Sequence, residues 1–289
     1  MKPIDAALKF FPKLQRLEVS HSPEVIGGSW PDNTHDILPF LSVLVLRDCY
    51  KLRDLRHVFS ISTLTALTLD SLFHLKDSDL IKCEPLQNLQ HLCISECYEL
   101  SIDGIIALLR NCPSLTSLEL RDNVQVDGDI LEHALLLCPY LHSFSGENIC
   151  NVGSTSRGKG LTHLKTLKLV GCSFRGSDDI LANLLSTCSG QHGLECLTIG
   201  NCEIRQISCA DILSVIGFHS SLRSLTILND KPISWSEALL LLNSLKHLSS
   251  LTACVHRDPR SLDAKGVEFL KFCRKAHPSV KLKILFDDS

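Results

Sequence analysis

The side chains best able to do chemistry in this chain are its thiols, its imidazoles, one glycine-rich stretch and a band of carboxylates. Residues 153–160, Gly153-Ser-Thr-Ser-Arg-Gly158-Lys159-Gly160, match the spacing G-x-x-x-x-G-K. That pattern cradles phosphates when it joins a strand to a helix and is followed by a Ser or Thr for magnesium. Gly160 stands where the hydroxyl is needed, and the next segment, Leu164-Lys-Thr-Leu167, has the spacing of a strand. The stretch therefore reads as a polar loop. Fourteen cysteines are present, yet none forms a C-x-x-C pair. Cys93 and Cys97, and Cys196, Cys202 and Cys209, are accounted for by a repeat described below rather than by a zinc site. The 13 histidines are scattered, with His219 and His277 at positions that read as packing. G-x-S-x-G and H-E-x-x-H are both missing. No catalytic residue, metal or cofactor is expected.

The elements that hold these groups follow from a recurrence. Residues 112–123, Cys112-Pro-Ser-Leu115-Thr-Ser-Leu118-Glu-Leu120-Arg-Asp-Asn123, read C-P-x-L-x-x-L-x-L-x-x-N. Leu118 and Leu120 are two apart and share one side of an extended strand; Ser117, Glu119 and Arg121 take the other. Copies begin at Leu14, Leu41, Leu64, Leu89, Leu115, Leu141, Leu164, Leu194, Leu222 and Leu248, at steps of 23 to 30 residues and a mean of 26. Most keep apolar residues at offsets +3 and +5 from that leucine, as in Leu44/Leu46, Leu92/Ile94 and Leu225/Ile227. Two are degenerate: Phe144 and Gly146 follow Leu141, and Leu251 and Ala253 follow Leu248.

Two further registers agree. Offset +8 is Cys49, Cys97, Asn123, Cys172 or Cys202 in five copies, where the strand ends in a bend. A thiol or amide there points inward and satisfies backbone groups of neighbouring turns. Offset −3 is mostly apolar: Phe11, Leu38, Ile61, Leu86, Cys112, Cys138, Leu161 and Leu245. A period of this length means a stacked solenoid.

These residues resemble the cysteine-containing leucine-rich repeats, best known from the substrate-binding part of F-box proteins in SCF-type ubiquitin ligases. The resemblance covers about residues 10–256. It implies an α/β solenoid of ten to eleven repeats, a curved horseshoe with a parallel sheet on the concave side and helices on the convex side. It also implies a non-catalytic protein-interaction module, either the substrate-recognition part of such a ligase or a free-standing relative. The first repeat is entered by about residue 14, which leaves no room for an F-box, so ligase components would be reached through a missing or separate one. The alternative is an inhibitor or sensor domain of an immune-receptor-like protein, to which phrases such as Leu44-Val-Leu-Arg-Asp-Cys-Tyr-Lys-Leu52 are similar. Residues 1–289 are expected to form a single leucine-rich repeat domain.

Composition fits. Hydrophobic residues make up 44% and aromatic ones 6%, so leucine carries the core. The net charge of −3 implies no general attraction to nucleic acid or an acidic membrane. No apolar run approaches the roughly 20 residues of a membrane helix, and residues 1–9 are broken by charge, unlike a signal peptide. Cysteines in core registers read as reduced thiols, and none of the asparagines begins an N-x-Ser/Thr sequence. Together these place the chain in cytoplasm or nucleus.

Helices are expected at about 4–11, with Ile102, Ile105, Ile106 and Leu109 on one face, with Ile130 to Leu137 after Asp127 as N-cap, and at about 178–188, 210–219, 235–246 and 263–276. Ser234 to Glu237 has capping-box spacing. Residues 22–36 and 146–160 read as irregular loops, the second repeat around Leu52–Phe59 as irregular, and 281–286 as a closing strand followed by Asp287 and Asp288. Ten strands about 4.8 Å apart would span roughly 45–50 Å. Their outward positions, +2, +4, +6 and +7, carry Arg47, Asp48, Asp70, His91, Glu96, Glu119, Arg121, Asp122, Glu147 and Asn148 in the middle of the array. Later turns are bland there, with Thr166, Thr198, Ser224, Thr226, Ser250 and Thr252. From Asp70 onward, five of these are acids (Asp70, Glu96, Glu119, Asp122, Glu147) against one arginine, Arg121, which suggests a protein partner with a partly basic surface. The plainer reading is that these acids keep the face soluble.

Overall fold

Alternating apolar and polar residues in each repeat should give a short strand with one buried side, and a step of 23 to 30 residues leaves the crossover that parallel pairing requires. The computed structural model describes residues 8–21, 34–52, 55–81, 83–126, 129–150, 163–173, 193–202, 221–228, 233–255 and 266–286. The chain divides into two compact units, Met1–Gly153 and Ser154–Ser289. The first holds β1 (Arg16–Ser20), β2 (Val43–Arg47), β3 (Ala66–Asp70), β4 (His91–Ser95), β5 (Ser117–Arg121) and β6 (Ser143–Glu147). The second holds β7 (Thr166–Val170), β8 (Cys196–Gly200), β9 (Ser224–Leu228), β10 (Ser250–Val255) and β11 (Lys281–Phe286). Strand order follows chain order, and the strands of each unit pair in parallel with their neighbours.

Register follows the leucine frame without a slip. In the first unit the +3 row runs Leu17, Leu44, Leu67, Leu92, Leu118, Phe144, and the +5 row runs Val19, Leu46, Leu69, Ile94, Leu120, Gly146. Leu44, Leu46, Leu67, Leu69, Leu92, Ile94, Leu118, Leu120 and Phe144 are buried. The +3 row of the second unit is Leu167, Leu197, Leu225, Leu251, Leu282. Both degenerate copies still form strands, because β6 keeps Phe144 buried and β10 keeps Leu251 and Ala253 buried. A one-residue slip would turn these rows into solvent, which is why the register holds.

The helical returns among the described residues are α1 (Thr34–Ile37), α2 (Asp77–Ile81), α3 (Ile102–Arg110), α4 (Ile130–Leu137), α5 (Trp235–Ser244) and α6 (Val267–Ala276). Helix α3 buries Gly104, Ile105, Ile106, Leu108 and Leu109, and Ser101 caps it by accepting from the Asp103 N–H. The capping box at α5 is complete: Ser234 Oγ accepts from the Glu237 N–H, and Glu237 Oε2 accepts from the Ser234 N–H at 2.7 Å. The closing strand spans the expected residues 281–286.

Several expectations are corrected. The N-cap of α4 is Asp129, whose side chain makes no capping bond, and Asp127 lies outside the described residues. The span expected to be loop from 22 ends in a helical turn from Thr34, and the one expected from 146 begins with Gly146 and Glu147 inside β6, because strand pairing continues to offset +6. Helix α6 covers Val267–Ala276 of the expected 263–276, and residues 263–265 lie outside the described residues. Phe11, at the apolar offset −3, is 59% exposed: no described strand stands before β1 to cover it. The helices expected at 178–188 and 210–219, the glycine-rich stretch 153–160, Cys209, His219 and Asp287–Asp288 all lie outside the described residues. No described helix is long and apolar enough to cross a membrane.

Candidate protein-binding face

Each candidate residue is placed by a strand or by the corner that follows it. Offsets +2, +4 and +6 stand on the open side of the sheet, opposite the leucine rows. Offset +7 does not: β1–β8 stop at +6, and the next residue turns the chain with a left-handed backbone. His21, Asp48, Ser71, Glu96, Asp122, Asn148 and Asn201 all have φ between 46° and 54°, and Gly171 has φ 62°. These are the +7 residues of eight successive copies. The backbone N–H at this corner donates to the +6 carbonyl of the next repeat, as Asp48 does to Asp70 at 3.1 Å and Glu96 to Arg121 at 3.0 Å. The corner therefore carries the ladder one bond past the strand. Asp, Asn and Gly tolerate this conformation best. Their enrichment at +7 was the signal available in the sequence, and assigning +7 to the flat face missed it.

Behind the corner sits the +8 register. Asn123 is fully buried; its Nδ2 donates to the Ile94 carbonyl at 2.9 Å and its Oδ1 accepts from the Cys97 N–H at 3.0 Å. Thiols take the same place elsewhere. Cys97 Sγ lies 3.8 Å from the Leu69 carbonyl and 3.3 Å from that of Ser95, and Cys202 Sγ lies 3.5 Å and 3.3 Å from those of Leu169 and Gly200. The inward-pointing thiol or amide read from the sequence is thus found, bridging one strand end to the previous one. Burial pushes the Cys97 thiol up to about 12. The described cysteines are free thiols, and no described group of His, Cys, Asp and Glu is arranged to hold a metal.

The charged candidates gather into two clusters and a corner row. Arg47 Nη1 is 3.3 Å from Glu18 Oε1, and its Nε is 3.5 Å from Asp70 Oδ2. Arg121 Nε donates to Glu119 Oε1 at 2.8 Å and lies 3.9 Å from Glu147 Oε2. Burial alone would pull the Arg121 guanidinium down; hydrogen bonding and charge from Glu119 outweigh it and hold the group above its usual value. At the corner, His21 Nδ1 is 2.9 Å from Asp48 Oδ2, the Ser71 hydroxyl is 3.4 Å from Glu96 Oε2, and Asn148 Nδ2 donates to Asp122 Oδ1 at 2.7 Å. Cys93, which the sequence reading left out, stands on the open face beside Glu119; burial and then that carboxylate push it up to about 12, so it is a poor nucleophile. His91 opens β4 at its far end, five residues before the corner residue Glu96, about 16 Å away at strand rise. It does not join the acids.

The fold has relatives among solved structures. A chain of the yeast Rad7–Elc1 complex is similar over 99% of this chain and 81% of its own, with TM-score 0.60 and 15% identity. The fold is a leucine-rich repeat solenoid. A leucine-rich repeat protein of Leptospira interrogans matches over 99% of this chain and 70% of its own, with TM-score 0.57 and 18% identity. An internalin from Listeria monocytogenes matches with TM-score 0.52 and 20% identity over 84% of this chain, which spans 62% of that longer protein. No family model and no curated protein matches the sequence.

Proposed function

We propose that this chain is a non-catalytic protein-recognition module whose binding face is the open side of β2–β6 with its corner row. The observation that carries the reading is the distribution of charge there. Asp48, Asp70, Glu96, Glu119, Asp122 and Glu147 stand against Arg47 and Arg121, and each arginine is already held between two carboxylates. The uncompensated acid favours a protein partner that presents lysine and arginine, and repels phosphate backbones.

Within that reading we place the chain as a substrate receptor of an SCF-type ubiquitin-ligase pathway, or a free-standing relative. Support comes from the cysteine-bearing repeat frame and from the likeness to a chain of a two-protein assembly, the Rad7–Elc1 complex. The tagged full chain should co-purify with adaptor and cullin proteins; a partner set without them removes the ligase role. Once a partner is captured, the double change Glu119→Lys with Asp122→Lys should weaken its binding about tenfold or more. Unchanged affinity rejects this face.

A further inference from the structure

One register of the first unit is unexplained by packing. Offset +9, two residues past the left-handed corner, is Tyr50, Phe73, Tyr98 and Val124 in four successive copies. In a core register these side chains would be covered, yet they are 48%, 40%, 40% and 60% exposed. Single exposed apolar groups are normal on a protein surface. Four in one column, carried by adjacent repeats about 4.8 Å apart, form a continuous stripe roughly 14 Å long.

The middle of the stripe is held together before anything binds. The rings of Phe73 and Tyr98 are stacked, with centroids 5.7 Å apart and planes 6° from parallel. The Tyr98 hydroxyl donates to Glu96 Oε2 at 3.3 Å. A partner meeting this platform would not have to immobilise it, which preserves affinity.

Charge says what kind of partner fits. Glu99 follows Tyr98 directly but is paired with Lys76, 3.6 Å away; the other carboxylates near the stripe in sequence are the corner acids. Glu96 accepts from the hydroxyls of Tyr98 and Ser71, and Asp122 from the amide of Asn148. Those donors are neutral and leave the negative charge in place, unlike the arginine-bridged acids of the flat face. Lys51 follows Tyr50 directly, so the acidic end of the stripe is the Phe73–Tyr98–Val124 end. Aromatic faces edged by carboxylates bind cations and the aliphatic stems behind them.

We infer that the Tyr50–Phe73–Tyr98–Val124 stripe, edged by Glu96 and Asp122, docks a short protein segment that alternates lysine or arginine with large apolar side chains. This rests on the reading of the first unit as a protein-binding surface and names the chemistry of what binds. An extended segment rises about 3.3 Å per residue, so four to five residues cover the stripe.

Three fluorescein-labelled dodecapeptides test it against the full chain by anisotropy at physiological salt. One alternates Lys/Arg with Leu/Phe, one replaces the basic residues by Glu, and one replaces the apolar residues by Ser. The first should bind at least about tenfold tighter than either control. Phe73→Ser and Tyr98→Ser, each checked for an unchanged unfolding midpoint, should lose about tenfold of that binding, and Glu96→Gln part of it. Thr226→Ala, in β9 of the second unit, should change it less than about twofold. Equal binding of the acidic peptide, or undiminished binding to both aromatic variants, overturns the inference. If the aromatic variants still hold a captured partner that Glu119→Lys with Asp122→Lys releases, the stripe is wrong and the open face stands. If neither set of changes matters, both fail.

Discussion

Asn123 shows how one side chain can hold two repeats together. Its amide closes on the Ile94 carbonyl and the Cys97 N–H in a fully buried site. Asn123→Ala would strand both, at about 1–3 kcal/mol for each unpaired group. Asn123→Cys should cost clearly less, because a thiol in this register reaches the same carbonyl, as Cys97 does towards Leu69. Urea midpoints of the two variants check the order. The thiols make a second expectation. Burial pushes Cys97 up to about 12, whereas an unfolded thiol ionises near 8.5. Above that value the unfolded chain sheds a proton that the native chain keeps, so stability falls as pH rises. The urea midpoint should be level to about pH 8 and decline from there towards 12, with a shallower decline in Cys97→Ala. The +8 register was legible because Cys and Asn recur there at a fixed distance from the leucines. The +7 corner was legible only in part: Asp, Asn and Gly recur there, yet Asp48, Glu96 and Asp122 each look like any exposed acid until the backbone angle is known.

At the scale of elements, neighbouring helical returns are fitted to one another through Asp77. Its carboxylate, in the first turn of α2, accepts from the Ser101 N–H at 2.9 Å and from the Ser101 hydroxyl at 2.6 Å, so it fixes the residue that caps α3. Gly104 lets it come that close. A Cβ there would fall 2.1 Å from Asp77 Oδ1 and 3.0 Å from the Asp77 Cα. Gly104→Ala should therefore destabilise by about 1–3 kcal/mol through overpacking, even though alanine is the better helix former. Asp77→Ala in the same chain should relieve most of the clash, and a double-mutant cycle on unfolding midpoints reads that coupling. The apolar face of α3 was readable from its spacing, as was the capping box of α5. The start of α4 was not: Asp129 makes no capping bond, and Asp127, two residues earlier, is the same residue type, so residue type alone could not mark where that helix begins.

Across the molecule, stability is built from nearest-neighbour terms, as parallel strands in chain order require. Leu118 is fully buried and pairs in register with Leu92 and Phe144. Leu118→Ala should cost about 2–5 kcal/mol. The loss of amide protection on hydrogen exchange should be largest in β4–β6 and smaller in β1 and in β9–β11. Uniform loss along the chain would mean that the repeats open as one unit. The repeat count, strand positions and pairing direction came from a single spacing, because each strand is short and its buried side is nearly all leucine. The corner stripe Tyr50–Phe73–Tyr98–Val124 escaped notice for the opposite reason: an exposed aromatic is uninformative until its neighbours in the column are known.

The distance from each anchoring leucine to its left-handed corner is seven residues in eight copies, while the interval between anchors ranges from 23 to 30. In these copies the variation in length therefore falls between one corner and the next anchoring leucine. A protein engineer can splice an epitope or a labelled cysteine loop into a return without shifting a single strand, whereas one residue added between leucine and corner would throw that rung out of alignment.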